Sequence, residues 1–288
     1  MLAGADELDF GDDHSGIVEI APNSAQPGDK LSDIFDLNDT ILEIENKSLT
    51  HRPDTFGIIG FAREVAGILD QKFQTPDFLA ETPNDFLIDN PENTLKITIA
   101  DPTICSRYTA LIMKKYGEPN KKYLSLQDTL ISRSGMRPIS PIVDATNYLM
   151  LLTGQPLHAF DYDKLCSVAN SKTPEIIVRT GKKGEKLTLI DDREIEITPN
   201  DILITANDQP VALAGAFGGK NTEIDETTSH IVIESACFSL FNLRKTQMDH
   251  GIFSEAITRF TKGQPAGQTM PVAKEIAKLL SSDMRPVA

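Results

Sequence analysis

The sequence contains no apolar run long enough to cross a bilayer, which requires about 18–20 residues. Its longest conspicuous apolar stretch is YLMLL, at 148–152. The acidic amino terminus, MLAGADELDFGDDHSG, has neither the basic start nor the apolar core of a secretion signal. We therefore expect a cytoplasmic protein without a membrane partner.

Residues suited to metal binding and disulfide formation are also scarce. The three cysteines, Cys105, Cys166 and Cys237, are widely separated and form no CxxC pair. The five histidines show no metal-ligand spacing. The sequence therefore predicts no metal site and no disulfide framework, and the cysteines are interpreted as buried, reduced thiols.

Basic residues are in deficit. The chain has 28 lysines and arginines against 42 acidic residues, a net charge of −14, and the acidic excess is concentrated in residues 1–50. Such a chain is not expected to bind nucleic acid over its whole surface. Each of two basic clusters is interpreted either as a solvated face or as a local surface that steers a phosphate backbone. The clusters are Lys114, Lys115, Lys121, Lys122, Arg133 and Arg137, and then Arg179, Lys182, Lys183 and Lys186.

Common catalytic motifs are missing as well. There is no GxSxG nucleophile turn and no HExxH zinc motif. The glycine cluster GAFGGKNT at 215–222 departs from a phosphate-binding loop, because Lys220 is followed by Asn221 instead of serine or threonine. It predicts a strand-to-turn bend, and residue patterns alone leave the function open.

The first third of the chain predicts a small N-terminal α/β segment. A strand is predicted in GIVEIA (16–21), a second in TILEIE, and then a helix capped by Asp54 or Thr55. The helix repeats apolar residues on one face, namely Ile58, Phe61, Ala62, Val65 and Leu69. Residues 71–93 are rich in proline, asparagine and aspartate and predict a linker.

A larger, β-rich domain with flanking helices is predicted from residue 94, so the fold class is α+β. Strands are predicted in LKITIA, in RYTALIMKK and throughout 176–234. One predicted helix spans 125–135, with Ser125 as its cap, and another lies between Ser140 and Gly154. Three further helices are predicted at 239–250, 254–262 and 268–280.

One histidine lies in an otherwise apolar turn, GQPLHAFDYDKL at 154–165. A histidine between leucine, alanine and phenylalanine is usually a buried core residue. Such a residue also suits the polar tip of a binding pocket. The local pattern leaves both interpretations of His158 open.

Five stretches together resemble one family, the beta subunit of bacterial phenylalanyl-tRNA synthetase. They are SLTHRPDTFGIIGFAREVAGIL (48–69), GMRPISPIVDATNYLMLLTGQPLHAFDYDKL (135–165), PVALAGAFGG (210–219), IVIESACF (231–238) and SEAITRF (254–260). The resemblance implies that the chain is a fragment. Residues 1–35 resemble the tail of the tRNA-binding oligonucleotide-fold domain, 36–93 part of the small first domain with a linker, and 94–288 the β-rich tRNA-editing domain.

The resemblance implies hydrolysis of tyrosine wrongly attached to phenylalanine tRNA. Tyrosine is phenylalanine plus one hydroxyl, an addition that an apolar pocket rejects only by about a hundredfold. A second site that hydrogen-bonds this hydroxyl reverses the preference, because phenylalanine leaves its acceptor unpaired. The implied partners are phenylalanine tRNA, tyrosine as the editing ligand, and the alpha subunit of the parent heterotetramer. No cofactor is expected in this fragment, since ATP and Mg²⁺ serve the parent enzyme's aminoacylation centre.

The family's editing pocket maps onto named positions of this sequence. Glu234 matches the acceptor for the tyrosine hydroxyl, and His158 matches the histidine near the scissile ester. Arg137 matches an arginine at the pocket edge that suits the terminal adenosine or its phosphate. Gly218 is expected to let the backbone approach the ligand, and Ala256 to keep the pocket roomy.

Ser254 stands where the family usually has threonine. Its hydroxyl is expected to hold the attacking water, but it also fits a plain helix cap for EAITRF. Two other kinds of function stay open: a structural, tRNA-docking fragment in which editing has decayed, and a module that binds a free aromatic amino acid. The fragment is not expected to charge tRNA.

Overall fold

Two β-sheets pack face to face around a shared core in the computed structural model. The structure describes residues 3–4, 6–8, 14, 16–22, 24–35, 38–80, 93–115, 130–280 and 284–286. The strands are β1 (Lys96–Ile99), β2 (Cys105–Lys115), β3 (Leu157–Asp161), β4 (Glu175–Thr180), β5 (Lys186–Thr188), β6 (Glu194–Glu196), β7 (Ile202–Ala206), β8 (Gln209–Leu213), β9 (Phe217–Gly218), β10 (His230–Phe238) and β11 (Met284–Pro286). One sheet has the order β1-β4-β7-β8-β9 and the other β11-β2-β10-β3, while β5 pairs with β6.

The described residues also form α-helices, which confirms the predicted α+β class. They are α1 (Leu31–Ile34), α2 (Ile58–Ile68), α3 (Asp77–Ala80), α4 (Pro141–Thr153), α5 (Tyr162–Ala169), α6 (Leu240–His250), α7 (Glu255–Phe260) and α8 (Thr269–Leu279). None of the helices in the described residues is long and apolar enough to span a membrane.

The four-stranded sheet is buried on both faces. Along β10, Val232 and Ala236 point into the core shared with the five-stranded sheet. Ile231 and Ile233 point the other way, into a second core closed by α4 and α8. Because side chains alternate along a strand, β10 contributes to both cores at once.

Most elements predicted after residue 94 are confirmed. Helix α4 begins after Ser140, whose Oγ accepts a hydrogen bond from the Val143 N–H at 3.5 Å, and ends at Gly154 with φ +80°. The strands of the block 176–234 and the bend at GAFGGKNT are also found, with β9 followed by a 3₁₀ turn at Lys220–Thr222. Helical residues 130–133 end before Gly135, at φ +78°. The predicted cap Ser125 lies outside the described residues.

Two strand predictions near the amino terminus are wrong. GIVEIA (16–21) and TILEIE (40–45) belong to no β-ladder among the described residues. Ile17, Ile41 and Leu42 are exposed there. Alternating apolar residues favour extended backbone, but a strand also needs a partner with which to share hydrogen bonds.

The start of α2 also differs from the prediction. Asp54 and Thr55 belong to a 3₁₀ turn, Pro53–Phe56, and Gly57 occupies the N-cap position instead. The side of α2 that is buried carries Ile59 and Gly60. The predicted apolar face instead borders an open groove of about 810 Å³.

The turn predicted around His158 is an ordered strand and helix. Residues 157–161 form β3, and Asp161 caps α5 by accepting a hydrogen bond from the Lys164 N–H at 2.9 Å. In the predicted linker, 77–80 form the short helix α3, and 81–92 lie outside the described residues.

Candidate functional site

Glu234 lies in the middle of β10, on the face that meets the five-stranded sheet. Its neighbours in register are Ala110 on β2 and His158 on β3. The side chain is almost completely buried, with the residue 4% exposed. The ladder therefore places Glu234 and His158, which are 76 positions apart in the sequence, side by side on one face.

The Glu234 carboxylate accepts a hydrogen bond from a buried tyrosine. The Tyr108 Oη donates to Glu234 Oε2 at 2.7 Å. Burial raises the pKa of Glu234 to about 7, and the hydrogen bond from Tyr108 opposes part of that rise. Burial and the neighbouring carboxylate raise the pKa of Tyr108 well above its usual value, so its phenol stays protonated and acts as a donor.

The His158 imidazole lies between an aromatic ring and a glycine. It meets Phe160 edge-on, with ring centroids 4.5 Å apart. A Cβ atom built at Gly218 would lie 2.6 Å from His158 Cε1 and 2.8 Å from Nε2. Burial lowers the pKa of His158 to about 4, so the ring is neutral near pH 7 and can donate one hydrogen bond and accept one. Only glycine at 218 leaves room for this ring.

Ser254 and Ala256 lie at the start of α7, and Ser254 contacts the chain that leads into β9. The Ser254 Oγ caps α7 by accepting from the Ile257 N–H at 3.3 Å, and it donates to the Ala216 carbonyl at 3.4 Å. Ala216 precedes Gly218 by two residues. Ala256 is half-buried in the first turn of α7. The helix-cap interpretation of Ser254 is thus confirmed, while its role with water stays a prediction.

Arg137 is exposed in the segment between helical residues 130–133 and α4. Its predicted contact with the adenosine or phosphate of a tRNA end stays a prediction. The structure thus joins His158, Gly218 and Glu234 through direct contacts or register, and links Ser254 to the same loop.

The second basic cluster is largely neutralised by ion pairs. Arg179 is buried and contacts Glu185 and Asp208 at 2.5 Å each. Lys182 also contacts Asp208, and Lys186 contacts Glu194. These pairs favour a structural role over the steering of a phosphate backbone. In the first cluster, Arg133 pairs with Asp39, and Lys121 and Lys122 lie outside the described residues.

Two of the three cysteines, Cys166 and Cys237, are less buried than the sequence analysis predicted. The three cysteines are free, Cys105 buried and the other two half-buried. Among the residues that the structure describes, no group of three or more histidine, cysteine, aspartate or glutamate side chains is arranged to hold a metal ion.

The site residue that sequence reasoning missed is Tyr108. The alternation along β2 does place Tyr108 on the same face as Ala110 and Ile112, which is the signal available in RYTALIMKK. That pattern does not reveal that β2 pairs with β10, in a register that brings Tyr108 diagonally next to Glu234.

Comparisons with known proteins assign most of the chain to one family. Residues 104–283 match the family described as the B3/4 domain. Three similar proteins are each a phenylalanine–tRNA ligase beta subunit. That of Anaeromyxobacter dehalogenans is 36% identical over 98% of this chain and 33% of the relative. That of Desulfotalea psychrophila is 38% identical over 98% of this chain and 32% of the relative. That of Carboxydothermus hydrogenoformans is 39% identical over 91% of this chain and 31% of the relative.

These similarities confirm the resemblance predicted from the sequence motifs. The chain spans about a third of the length of the curated relatives it matches. Among solved structures, an N-terminal fragment of the phenylalanyl-tRNA synthetase beta-subunit from Pyrococcus horikoshii has a TM-score of 0.32 and 12% identity, covering 75% of this chain and 60% of that one. Similarity at that level carries no argument about function.

Proposed function

The chain belongs to the B3/4 domain family, and on that premise we propose that it is the editing part of a phenylalanine–tRNA ligase beta subunit. Its proposed reaction is hydrolysis of the ester that joins tyrosine to phenylalanine tRNA. The proposed domain boundaries follow the sequence analysis, with the tRNA-binding tail in 1–35, part of the small first domain in 36–93 and the editing domain in 94–288. In the whole ligase, the alpha subunit and phenylalanine tRNA are the proposed partners.

The observation that carries this proposal is a buried carboxylate beside a neutral imidazole. Glu234 lies within the protein, where water does not compete for its lone pairs. A carboxylate accepts several hydrogen bonds, and Tyr108 occupies one oxygen. An aromatic ligand whose phenol reaches Glu234 gains a charge-assisted hydrogen bond, whereas a bare phenyl ring leaves the second carboxylate oxygen unpaired.

Hydrolysis requires a water molecule held near the ester carbonyl. His158 is neutral because its burial lowers its pKa to about 4, so it places water through hydrogen bonds and carries no charge. The Ser254 hydroxyl, beside the Ala216 carbonyl, supplies a second polar group. The water oxygen bonds to the ester carbon, the bond from that carbon to the ribose oxygen breaks, and a proton of the water ends on the ribose oxygen. No side chain becomes covalently attached.

The first experiment compares hydrolysis of tyrosyl- and phenylalanyl-tRNA by the 288-residue chain. We expect the parent to release tyrosine in preference to phenylalanine. Glu234→Ala removes the acceptor and should lower that preference by roughly tenfold or more, since hydrogen bonds to charged groups are among the strongest. The matched control is Glu226→Ala, which removes an exposed carboxylate and should leave the preference unchanged. Equal preferences in the parent and Glu234→Ala would remove Glu234 from its role.

Calorimetry with free tyrosine and phenylalanine distinguishes the two other functions. A structural fragment with decayed editing binds neither amino acid and hydrolyses neither ester. A module that senses a free aromatic amino acid binds tyrosine tightly and leaves charged tRNA intact. The editing function predicts preferential binding of tyrosine together with release of tyrosine from tRNA.

A further inference from the structure

A buried phenol already contacts the carboxylate that is proposed to recognise a phenol. Tyr108 lies on β2, is 9% exposed, and donates to Glu234 Oε2 at 2.7 Å. Because Glu234 is in register with Ala110, Tyr108 approaches it diagonally across the β2–β10 ladder. The contact therefore joins two central strands of one sheet, whose backbones are fixed by their own hydrogen bonds.

This contact restricts the orientation of the Glu234 carboxylate. A glutamate side chain has three rotatable bonds, and a buried carboxylate without a donor would carry a large desolvation cost. The Tyr108 phenol satisfies Oε2 and fixes the carboxylate plane from the β2 side. The second oxygen, Oε1, then has a defined direction, which is what recognition of a single ligand hydroxyl requires.

We propose that Tyr108 is a positioning residue that orients Glu234 and thereby determines how strongly the site prefers a phenol to a bare phenyl ring. The inference rests on the proposed editing function and adds a residue to it. Tyr108 acts through Glu234 and takes no part in bond cleavage. A purely structural tyrosine in the same place would contribute stability and would leave the preference between the two amino acids unchanged.

The groups around Glu234 make a pH profile interpretable. The titratable side chains that face it are Tyr108 and Cys105 on β2 and His158 on β3. Burial raises the pKa of Cys105 to about 12 and lowers that of His158 to about 4, so both are neutral between pH 6 and 9. The strands that pack against this face present apolar residues, among them Ile204, Val211 and Leu213. Glu234 is thus the group of this cluster that titrates near pH 7.

The test is Tyr108→Phe in the full 288-residue chain, assayed with tyrosyl- and phenylalanyl-tRNA between pH 6 and 8.5. This substitution deletes one oxygen and keeps the ring. We expect the preference for tyrosine over phenylalanine to fall about tenfold, because the hydrogen bond is made to a charged group. The pH midpoint of the preference should move upward, since the bond from Tyr108 lowers the pKa of Glu234.

Tyr162→Phe is the matched control. Tyr162 is also buried, 4% exposed, and its Oη donates to the Thr94 carbonyl at 3.0 Å, away from Glu234. Loss of the Tyr162 hydroxyl should lower the free energy of unfolding about as much as Tyr108→Phe does. It should change neither the preference for tyrosine over phenylalanine nor its pH midpoint. A Tyr108→Phe chain that keeps both the parent's preference and its midpoint overturns the inference while the proposed function stands. A parent chain that hydrolyses neither ester refutes both.

A second change keeps the inference testable if Tyr108→Phe does not fold. Incorporation of 3-fluorotyrosine at position 108 keeps the hydroxyl and makes the phenol a stronger donor. The pH midpoint of the preference should then move downward, in the opposite direction to the Phe variant. An unchanged midpoint would show that Tyr108 does not act on Glu234.

Discussion

At the scale of single residues, burial shifts the pKa in opposite directions for two side chains that lie side by side on β3 and β10. It raises the pKa of Glu234 to about 7 and lowers that of His158 to about 4. The folded state therefore holds a proton on Glu234 more tightly than the unfolded chain does, and holds one on His158 less tightly. As pH rises from about 4.5 to 7 the Glu234 contribution to stability is lost, whereas the His158 contribution is gained between about 4 and 6.5.

Glu234→Gln separates these two effects. Glutamine keeps an oxygen that accepts from Tyr108 but never ionises. At each pH we compare the free energy of unfolding of the variant with that of the parent. We expect this difference to favour the variant by about 2 kcal/mol more at pH 8 than at pH 5, since one pKa unit corresponds to about 1.4 kcal/mol. Urea unfolding at both pH values measures the difference. Glu226→Gln, at an exposed position, is the matched control, and an equal change for both variants would contradict the effect of burial on Glu234.

The residues of the site differ in how far the sequence could predict them. His158, Gly218 and Glu234, the positions to which the family resemblance pointed, are neighbours because β3, β9 and β10 converge at this face. The local pattern around His158 left two interpretations open, since burial and cross-strand neighbours are set by register. Tyr108 was missed for the same reason, as its partner lies 126 residues further along the chain.

At the scale of elements, one serine combines a helix cap with a position near the site. Ser254 caps α7 through the Ile257 N–H and also contacts the Ala216 carbonyl. We expect Ser254→Ala to lower the free energy of unfolding by about 1 kcal/mol, the usual cost of a lost cap. It should also slow tyrosine release roughly tenfold or more if the hydroxyl places water. Ser254→Thr keeps the hydroxyl and should preserve both properties.

A second helix supplies the control for this prediction. Ser239 caps α6 by accepting from the Asn242 N–H at 3.5 Å. Ser239→Ala should reduce stability by a similar amount without slowing tyrosine release. If the two alanine variants slow release equally, Ser254 acts only as a cap, and the water-placing role is wrong.

Elements with strong end signals were predicted well, and those that depend on distant partners were not. Helix α4 has serine before it, proline in its first turn and glycine after it, and these local features determine where it starts and stops. The strands predicted at 16–21 and 40–45 failed because alternation does not reveal whether a neighbouring strand exists. Strand β3 was missed because it follows Gly154 and Pro156 and leads directly into α5, so its short sequence resembles a turn.

At the scale of the whole molecule, charge constrains how the chain meets a nucleic acid. The net charge is −14, with much of the excess in residues 1–50. The cations around Arg179 are already engaged with Glu185 and Asp208. Within the proposed function, an RNA backbone approaches a limited part of the surface, and the exposed Arg137 is the proposed contact.

The N-terminal segment docks onto the sheet domain through backbone-to-backbone contact. A Cβ built at Gly57 would lie 2.3 Å from the Gly154 nitrogen and 2.4 Å from the Thr153 carbonyl carbon. The Arg259 Nε donates to the Phe56 carbonyl at 3.1 Å and ties α7 to the same segment. Because α4 ends at Thr153 and β3 begins at Leu157, this contact lies at the connection that leads into the strand carrying His158.

Gly57→Ala tests whether this docking stabilises the whole fold. The backbone of Gly57, with φ −125° and ψ 150°, suits any residue, so the only penalty of the new methyl group is its collision with the end of α4. Neither backbone can yield cheaply, and we expect a loss of about 1–3 kcal/mol in free energy of unfolding, as for overpacked cores. Gly67→Ala, in α2 with open space around it, should be neutral or slightly stabilising. Equal urea midpoints for the two variants would show that the contact between Gly57 and the end of α4 does not stabilise the fold.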